Sequence, residues 1–130
     1  MTSGTGSKRG LTLIEILISI AILASASVLI MQALVRGAYM LTLAKNRLTA
    51  YTFLSAKMAD LELGFQQGIP PKPSGQFRAG RDQFQWHLDT APAAEDARLE
   101  LVTVTVGWHQ GRRDYESHTS LLRRLPEKKS

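Results

Sequence analysis

The stretch Lys8-Arg9-Gly10-Leu11-Thr12-Leu13-Ile14-Glu15-Ile16-Leu17-Ile18 passes in one step from two cations to an apolar run that continues to Val35 and holds a single charge, Glu15. As a helix this run is long enough to cross a bilayer, because roughly 20 apolar residues rising about 1.5 Å each span about 30 Å. Lys8 and Arg9 lead the run and only Arg36 follows it directly. That bias puts the N-terminus on the cytoplasmic side and everything past Arg36 in the opposite compartment. A carboxylate at the centre of a membrane helix costs roughly 2.5–3.5 kcal/mol even on the lenient scales, so Glu15 calls for a partner and a purpose.

Three readings of the segment stand side by side. A basic start, an apolar stretch and the small-residue triplet Ala24-Ser25-Ala26 resemble a cleaved secretory signal, with processing near Ala26. Against this, Glu15 comes early and apolar residues continue through Val28, Leu29, Ile30, Met31 and Leu34. A plain anchor is the second reading, with Glu15 reaching back to the cytoplasmic interface from the first turn of the helix. The third reading treats the whole cluster of cations, glycine, apolar run and carboxylate as one signal.

The rest of the chain is small and undramatic in charge. With 130 residues there is room for one modest domain beyond the apolar segment. Of the net charge of +5, Lys8 and Arg9 contribute two positive charges and Glu15 removes one, so the remaining excess is spread thinly over residues 36–130. That distribution excludes a nucleic-acid patch. The absence of cysteine excludes a disulfide framework, a thiolate nucleophile and a cysteine zinc site, and locates nothing by itself.

No proline and no pair of glycines interrupts Leu11 to Leu63, which predicts one continuous helix of roughly 55 residues and ~80 Å, weakest at Gly37. Its second half carries a stripe at Met40, Ala44, Arg47, Tyr51, Leu54, Met58, Leu61 and Phe65, in steps of four and three, with Arg47 expected at the top of the packed face. Gly64, Gly68, Pro70, Pro71, Pro73, Ser74 and Gly75 then make a turn-rich connection. Beyond it the period changes to two. Phe84, Trp86 and Leu88 alternate with Gln85, His87 and Asp89; Val102, Val104, Val106 and Trp108 alternate with Thr103, Thr105 and Gly107. Ala91 to Ala97 reads as the loop between these strands. His109-Gln110-Gly111-Arg112-Arg113 reads as a hairpin turn, returning through Tyr115, Ser117, Thr119 and Leu121. The expected fold is α+β: a long N-terminal α-helix, half transmembrane and half amphipathic, packed on a small antiparallel sheet of three or four strands. The expected division is 1–10 as leader, 11–35 as transmembrane segment, 36–66 as amphipathic continuation, 67–125 as sheet domain and 126–130 as flexible tail.

Catalytic signatures are missing. His87, His109 and His118 show no metal-ligand spacing, and Asp82, Asp89, Glu95, Asp96 and Glu100 contain no calcium-loop pattern. Gly75-Gln76-Phe77-Arg78-Ala79-Gly80 lacks the Lys and Ser/Thr of a phosphate loop, and no nucleophile elbow is present. The expectation is a protein that is not an enzyme and needs no cofactor or metal.

Gly10 preceded by Lys8 and Arg9, followed by Leu11-Thr12-Leu13-Ile14-Glu15 and a long apolar helix, resembles the class III signal of type IV pilins and type II secretion pseudopilins. The resemblance implies a pilin-like fold and cleavage by a prepilin peptidase between Gly10 and Leu11. Leu11 then becomes the N-methylated terminal residue and Glu15 the fifth of the mature chain. Phenylalanine is commoner than leucine at the position of Leu11. The new ammonium, at a helix N-terminus and at membrane depth, needs an anion. Glu15 of a neighbouring subunit can supply it and so fix the axial offset between neighbours, although Glu15 also lies one turn from Leu11 in its own helix.

Further along, the chain length, the lack of a C-terminal cysteine pair, Leu-Ser-Ala-Lys-Met-Ala-Asp-Leu-Glu at 54–62, the Gly-x-Phe at Gly75 to Phe77 and a tryptophan strand followed by Leu-x-x-Val-x-Val-x-Trp look like minor pseudopilin I. The lack of a calcium pattern, which major pseudopilins often carry, agrees with a minor subunit. The implied role is to initiate or cap a periplasmic pseudopilus that supports protein export. The implied site is the bacterial inner membrane, single-pass, with the C-terminal domain in the periplasm. The implied partners are other minor pseudopilins at the tip, the major pseudopilin, the prepilin peptidase and inner-membrane lipid. A minor type IV pilin that starts a surface fibre, and a bitopic periplasmic adaptor that never polymerises, are the alternatives.

Overall fold

The computed structural model describes residues 7–93 and 97–126, with the first three given by backbone alone. The side chains of Lys8 and Arg9, the loop residues Glu95 and Asp96, and the tail from Glu127 onward lie outside the described residues. One helix, α1 (Ser7–Gln66), is followed by four strands: β1 (Ser74–Ala79), β2 (Asp82–Pro92), β3 (Leu99–Gln110) and β4 (Arg113–Arg124). The strands form one antiparallel sheet in the order β1-β2-β3-β4. The α+β expectation holds. By its contacts the chain divides into two compact units, at Thr42 and Leu43.

Among the described residues the first unit is helix alone. From Leu11 to Val35 its large apolar side chains are exposed, Leu11 at 66% and Leu23 at 68% among them. Its hydroxyls are satisfied within the helix: Ser19, Ser25 and Ser27 donate to the carbonyl oxygens of Glu15, Ala21 and Leu23 at 2.7–2.8 Å. Such back-bonding lets serine sit in a helix with no water to hand.

The second unit packs the helical residues from Leu43 onward on one face of the sheet. Ala50, Leu54 and Leu61 are buried against Phe84, Trp86, Val102, Val104, Val106 and Trp108, with Leu43, Phe53, Met58 and Phe65 partly covered. The lower half of the expected stripe, Leu54, Met58, Leu61 and Phe65, faces the sheet. The upper half does not: Met40, Ala44, Arg47 and Tyr51 are exposed, and the seam runs instead through Ala50, Asn46 and Leu43. Stepping back from Leu54, three residues lead to Tyr51 and four to Ala50, and the apolar Tyr51 was the more persuasive of the two. Four is realised because Asn46 finds a partner inside. Its Nδ2 donates to Gln110 Oε1 at 3.3 Å, with both residues buried. A buried amide pair of this kind costs little when satisfied and favours one register of helix on sheet.

Four aromatic side chains stand in a single row across the strands. Phe77, Phe84, Trp108 and Tyr115 are successive register partners. Ring centroids lie 4.9 Å apart for Phe77–Phe84 and 5.8 Å for both Phe84–Trp108 and Trp108–Tyr115. The helix joins the row through Phe53, 4.2 Å from Phe77. Each such contact adds about 0.5–1.5 kcal/mol beyond the area it buries. Trp86 forms a second centre, with Lys57 Nζ 4.2 Å above its ring and Gly75, its register partner, beneath. At the far end the Arg123 guanidinium lies 3.9 Å over the Phe65 ring and 3.9 Å from Glu100.

Three boundaries differ from the sequence reading. The strand at Ser74–Ala79 falls where a turn-rich connection ended, because only Phe77 and Ala79 offer it an apolar alternation. The second strand runs on to Pro92, into the expected loop. The third hairpin turn is tight: His109, Gln110 and Arg113 belong to strands, and only Gly111 and Arg112 turn. Gly80-Arg81 and Gly111-Arg112 are two-residue turns with glycine first, at φ 64° in both, which is the position that demands it in hairpins of this twist. Next to the second turn, His109 Nδ1 donates to Asp114 Oδ1 at 2.6 Å on the exposed face. That hydrogen bond first, and the carboxylate charge second, hold the His109 pKa above the usual histidine value.

Two predictions follow from these contacts. A Cβ on Gly75 would stand 2.7–2.8 Å from the Trp86 indole, so Gly75→Ala is expected to cost about 1–3 kcal/mol in urea unfolding and to change the tryptophan emission. By NMR titration, His109 is expected to titrate above about 6.5, and Asp114→Asn is expected to lower its midpoint. The raised value means that the pair's contribution to stability is complete below the unfolded histidine pKa and is lost as pH rises through the folded one.

Candidate functional site

The candidate site is the helix face around Glu15. Leu11, Ile14, Glu15, Ile18 and Ser19 line one shallow groove on α1, at the spacing i, i+3, i+4, i+7 and i+8 that places residues on a single side of a helix. Leu11 and Glu15 are thus one turn apart on the same face, and both are exposed. None of the ion pairs among the described residues involves Glu15.

Gly10 is also exposed, and a Cβ on it would meet nothing within 4 Å. The bond between Gly10 and Leu11 falls in the opening turns of α1, which begins at Ser7. The first four N–H groups of a helix have no intrahelical acceptor, and no acidic residue stabilises this first turn. A glycine there lowers the cost of unwinding further. The local setting is the first turns of a helix with a glycine among them. It leads into a segment that, from Gly10 onward, is long and apolar enough to cross a membrane and has none of its most apolar window buried by the rest of the protein.

The other polar residues singled out in the sequence are dispersed. His87, His109 and His118 all lie on the outer face of the sheet, on three different strands. His87 Nε2 is 3.2 Å from Asp89 Oδ2, and His109 is held by Asp114. Glu100 faces Arg123. Among the described residues no three histidine, aspartate or glutamate side chains gather where a metal ion could be held. Asn46 and Gln110, the buried polar pair, escaped the sequence reading. The signal was a polar residue at helical spacing, three after Leu43 and four before Ala50.

A family model described as the prokaryotic N-terminal methylation motif matches residues 6–31, about a fifth of the chain. No curated protein and no solved structure matches. The matched segment contains Lys8, Arg9, Gly10, Leu11 and Glu15, and covers the start of the long apolar helix.

Proposed function

We propose that this protein is a minor pseudopilin of type II secretion, a structural and non-catalytic subunit that initiates or caps the periplasmic pseudopilus. The observation that carries the proposal is the co-location of Leu11 and Glu15 on one exposed helix face inside the methylation-motif match. In this reading the prepilin peptidase recognises the leader 1–10 with its Lys8 and Arg9, cuts between Gly10 and Leu11, and Leu11 is methylated. The remaining chain spans the inner membrane through 11–35, continues as helix through 36–66, and presents the sheet domain 67–125 and the tail 126–130 to the periplasm.

Assembly then follows from charge in a low dielectric. An ammonium on Leu11 and a carboxylate on Glu15 are each costly in hydrocarbon, and the cost falls when the two meet. Within one helix the terminal ammonium already has the helix dipole against it. Pairing with Glu15 of a neighbour relieves both charges at once, and it sets the offset between adjacent helices. The exposed apolar side chains on either side supply helix-to-helix packing as the subunit leaves the lipid. Partners in this reading are the other minor pseudopilins at the tip and the major pseudopilin. Assignment to the secretion system draws support from Lys57, Gly75 and Phe77: each belongs to the resemblance with minor pseudopilin I, and each has a defined place around Trp86 and the aromatic row.

Glu15→Val is expected to insert in the membrane as the wild type does and to lose most of its partner subunits on co-purification from crosslinked membranes. Full recovery of partners with the variant would remove the role assigned to the carboxylate. A bulky residue in place of Gly10 is expected to block cutting and to give the same loss, since no ammonium forms at Leu11. The partners recovered by the wild-type chain separate the alternatives: pseudopilins for secretion, pilins for a surface fibre, and a client with neither for an adaptor.

A further inference from the structure

On the outer face of the sheet, Gln83, Gln85, Gly107, His109, Asp114 and Glu116 line a cleft of about 640 Å³. The register explains where it lies. Gln85, Gly107 and Glu116 are direct partners across β2, β3 and β4, so this row has a side chain at each end and none in the middle. His109 and Asp114, partners in the next row of the same face, close one side.

Nothing in the fold asks for glycine at position 107. Its φ is not in the left-handed region, unlike those of Gly68, Gly80 and Gly111. A Cβ there would meet only the Tyr115 carbonyl oxygen at 3.6 Å, an ordinary contact. Gly75 differs, because the Trp86 indole occupies the space its side chain would need. Glycine within a strand costs about 0.5–1 kcal/mol relative to alanine, and it often marks a close approach by a ligand or another backbone. Gly107 therefore leaves open space above its backbone that an alanine would partly fill.

The lining is rich in acceptors. Gln83 Nε2 donates to Gln76 Oε1 at 2.7 Å, which leaves the Gln83 carbonyl oxygen to accept. Asp114 gives Oδ1 to His109 and keeps Oδ2. Glu116 enters none of the ion pairs among the described residues. Asp114 is paired with His109, which leaves Glu116 as the carboxylate outside the ion pairs among the described residues, and acceptors stand on several sides of a wide, shallow space. A guanidinium, planar and with five N–H donors, matches spread acceptors better than a compact, strongly hydrated ammonium.

We propose that this cleft is a docking slot for an arginine side chain of a partner protein, whose guanidinium lies over Gly107 with Glu116 as its carboxylate partner. The slot stands independently of the events at Leu11 and Glu15, and its test does not involve them. Full-length protein in detergent micelles is titrated with the blocked tripeptide Gly-Arg-Gly and with its neutral citrulline counterpart, with backbone amide NMR as the readout. The expected result is a saturable shift confined to the neighbourhood of Gln85, Gly107 and Glu116, at least about tenfold weaker with citrulline and similarly weakened by Glu116→Gln. Gly107→Val is expected to abolish the shift while leaving the thermal midpoint unchanged or higher, and Gly107→Ala is expected to weaken binding in the same direction. Absence of a saturable shift, equal response to citrulline, or undiminished binding by Gly107→Val would overturn the proposal. So would a fall in the thermal midpoint of both glycine variants, since the glycine would then serve the fold.

Discussion

Among the described residues, the most apolar part of this chain stands exposed. Burying a leucine or isoleucine side chain is worth about 1.5–3 kcal/mol, and from Leu11 to Val35 such side chains stand exposed in the first unit. None of the described residues covers that exposure, and in the proposed function lipid or the helices of other subunits do so. Glu15 is the one charge inside this requirement. In the proposed assembly a group that is costly in either apolar setting acts as a register mark, because a placement that meets an opposite charge lowers the cost. The serine hydroxyls near it are already satisfied by their own helix, whereas the carboxylate enters none of the ion pairs among the described residues.

The second unit solves its own problem separately. Its helical residues and sheet bury a core centred on Phe84 and the valines of β3, and the aromatic row ties all four strands and Phe53 into one layer. Local details serve this layer: glycine at 75 because an indole needs the room, and glycine first in both tight turns because the strand twist requires it. With its inner face committed, the sheet turns its outer face to solvent, and the wide cleft over Gly107 carries the carboxylates of Asp114 and Glu116 on that face.

Much of this was legible in residue order. The abrupt change at Gly10 marked the segment that the family model also matches, and a period of two located β2, β3 and β4 together with their inner and outer faces. β1 was missed because six residues with a glycine and an arginine in them carry too little alternation, although Gly80-Arg81 repeats the Gly-Arg turn of the later hairpin. The upper seam of the helix was misplaced for a different reason. Hydrophobicity favoured Tyr51 over Ala50, and only the partner Gln110, far away in sequence, makes Asn46 an interior residue. Asn46 keeps the helical spacing of the seam, but its polarity reads as exposed until Gln110 is placed beside it. The cleft was equally invisible, since Gly107 sits in an otherwise regular alternation and becomes informative only when its neighbours on β2 and β4 are known.

The dependence on a charge at Leu11 can be checked without any partner in hand. Mass spectrometry of the N-terminal peptide, from protein isolated out of the membranes of cells that make it, reads the terminus directly. A chain that begins at Leu11 and is one methyl group heavier than the bare sequence is the result predicted here. A chain that keeps residues 1–10 would contradict it, because Glu15 would then have no terminal ammonium on a neighbour to meet.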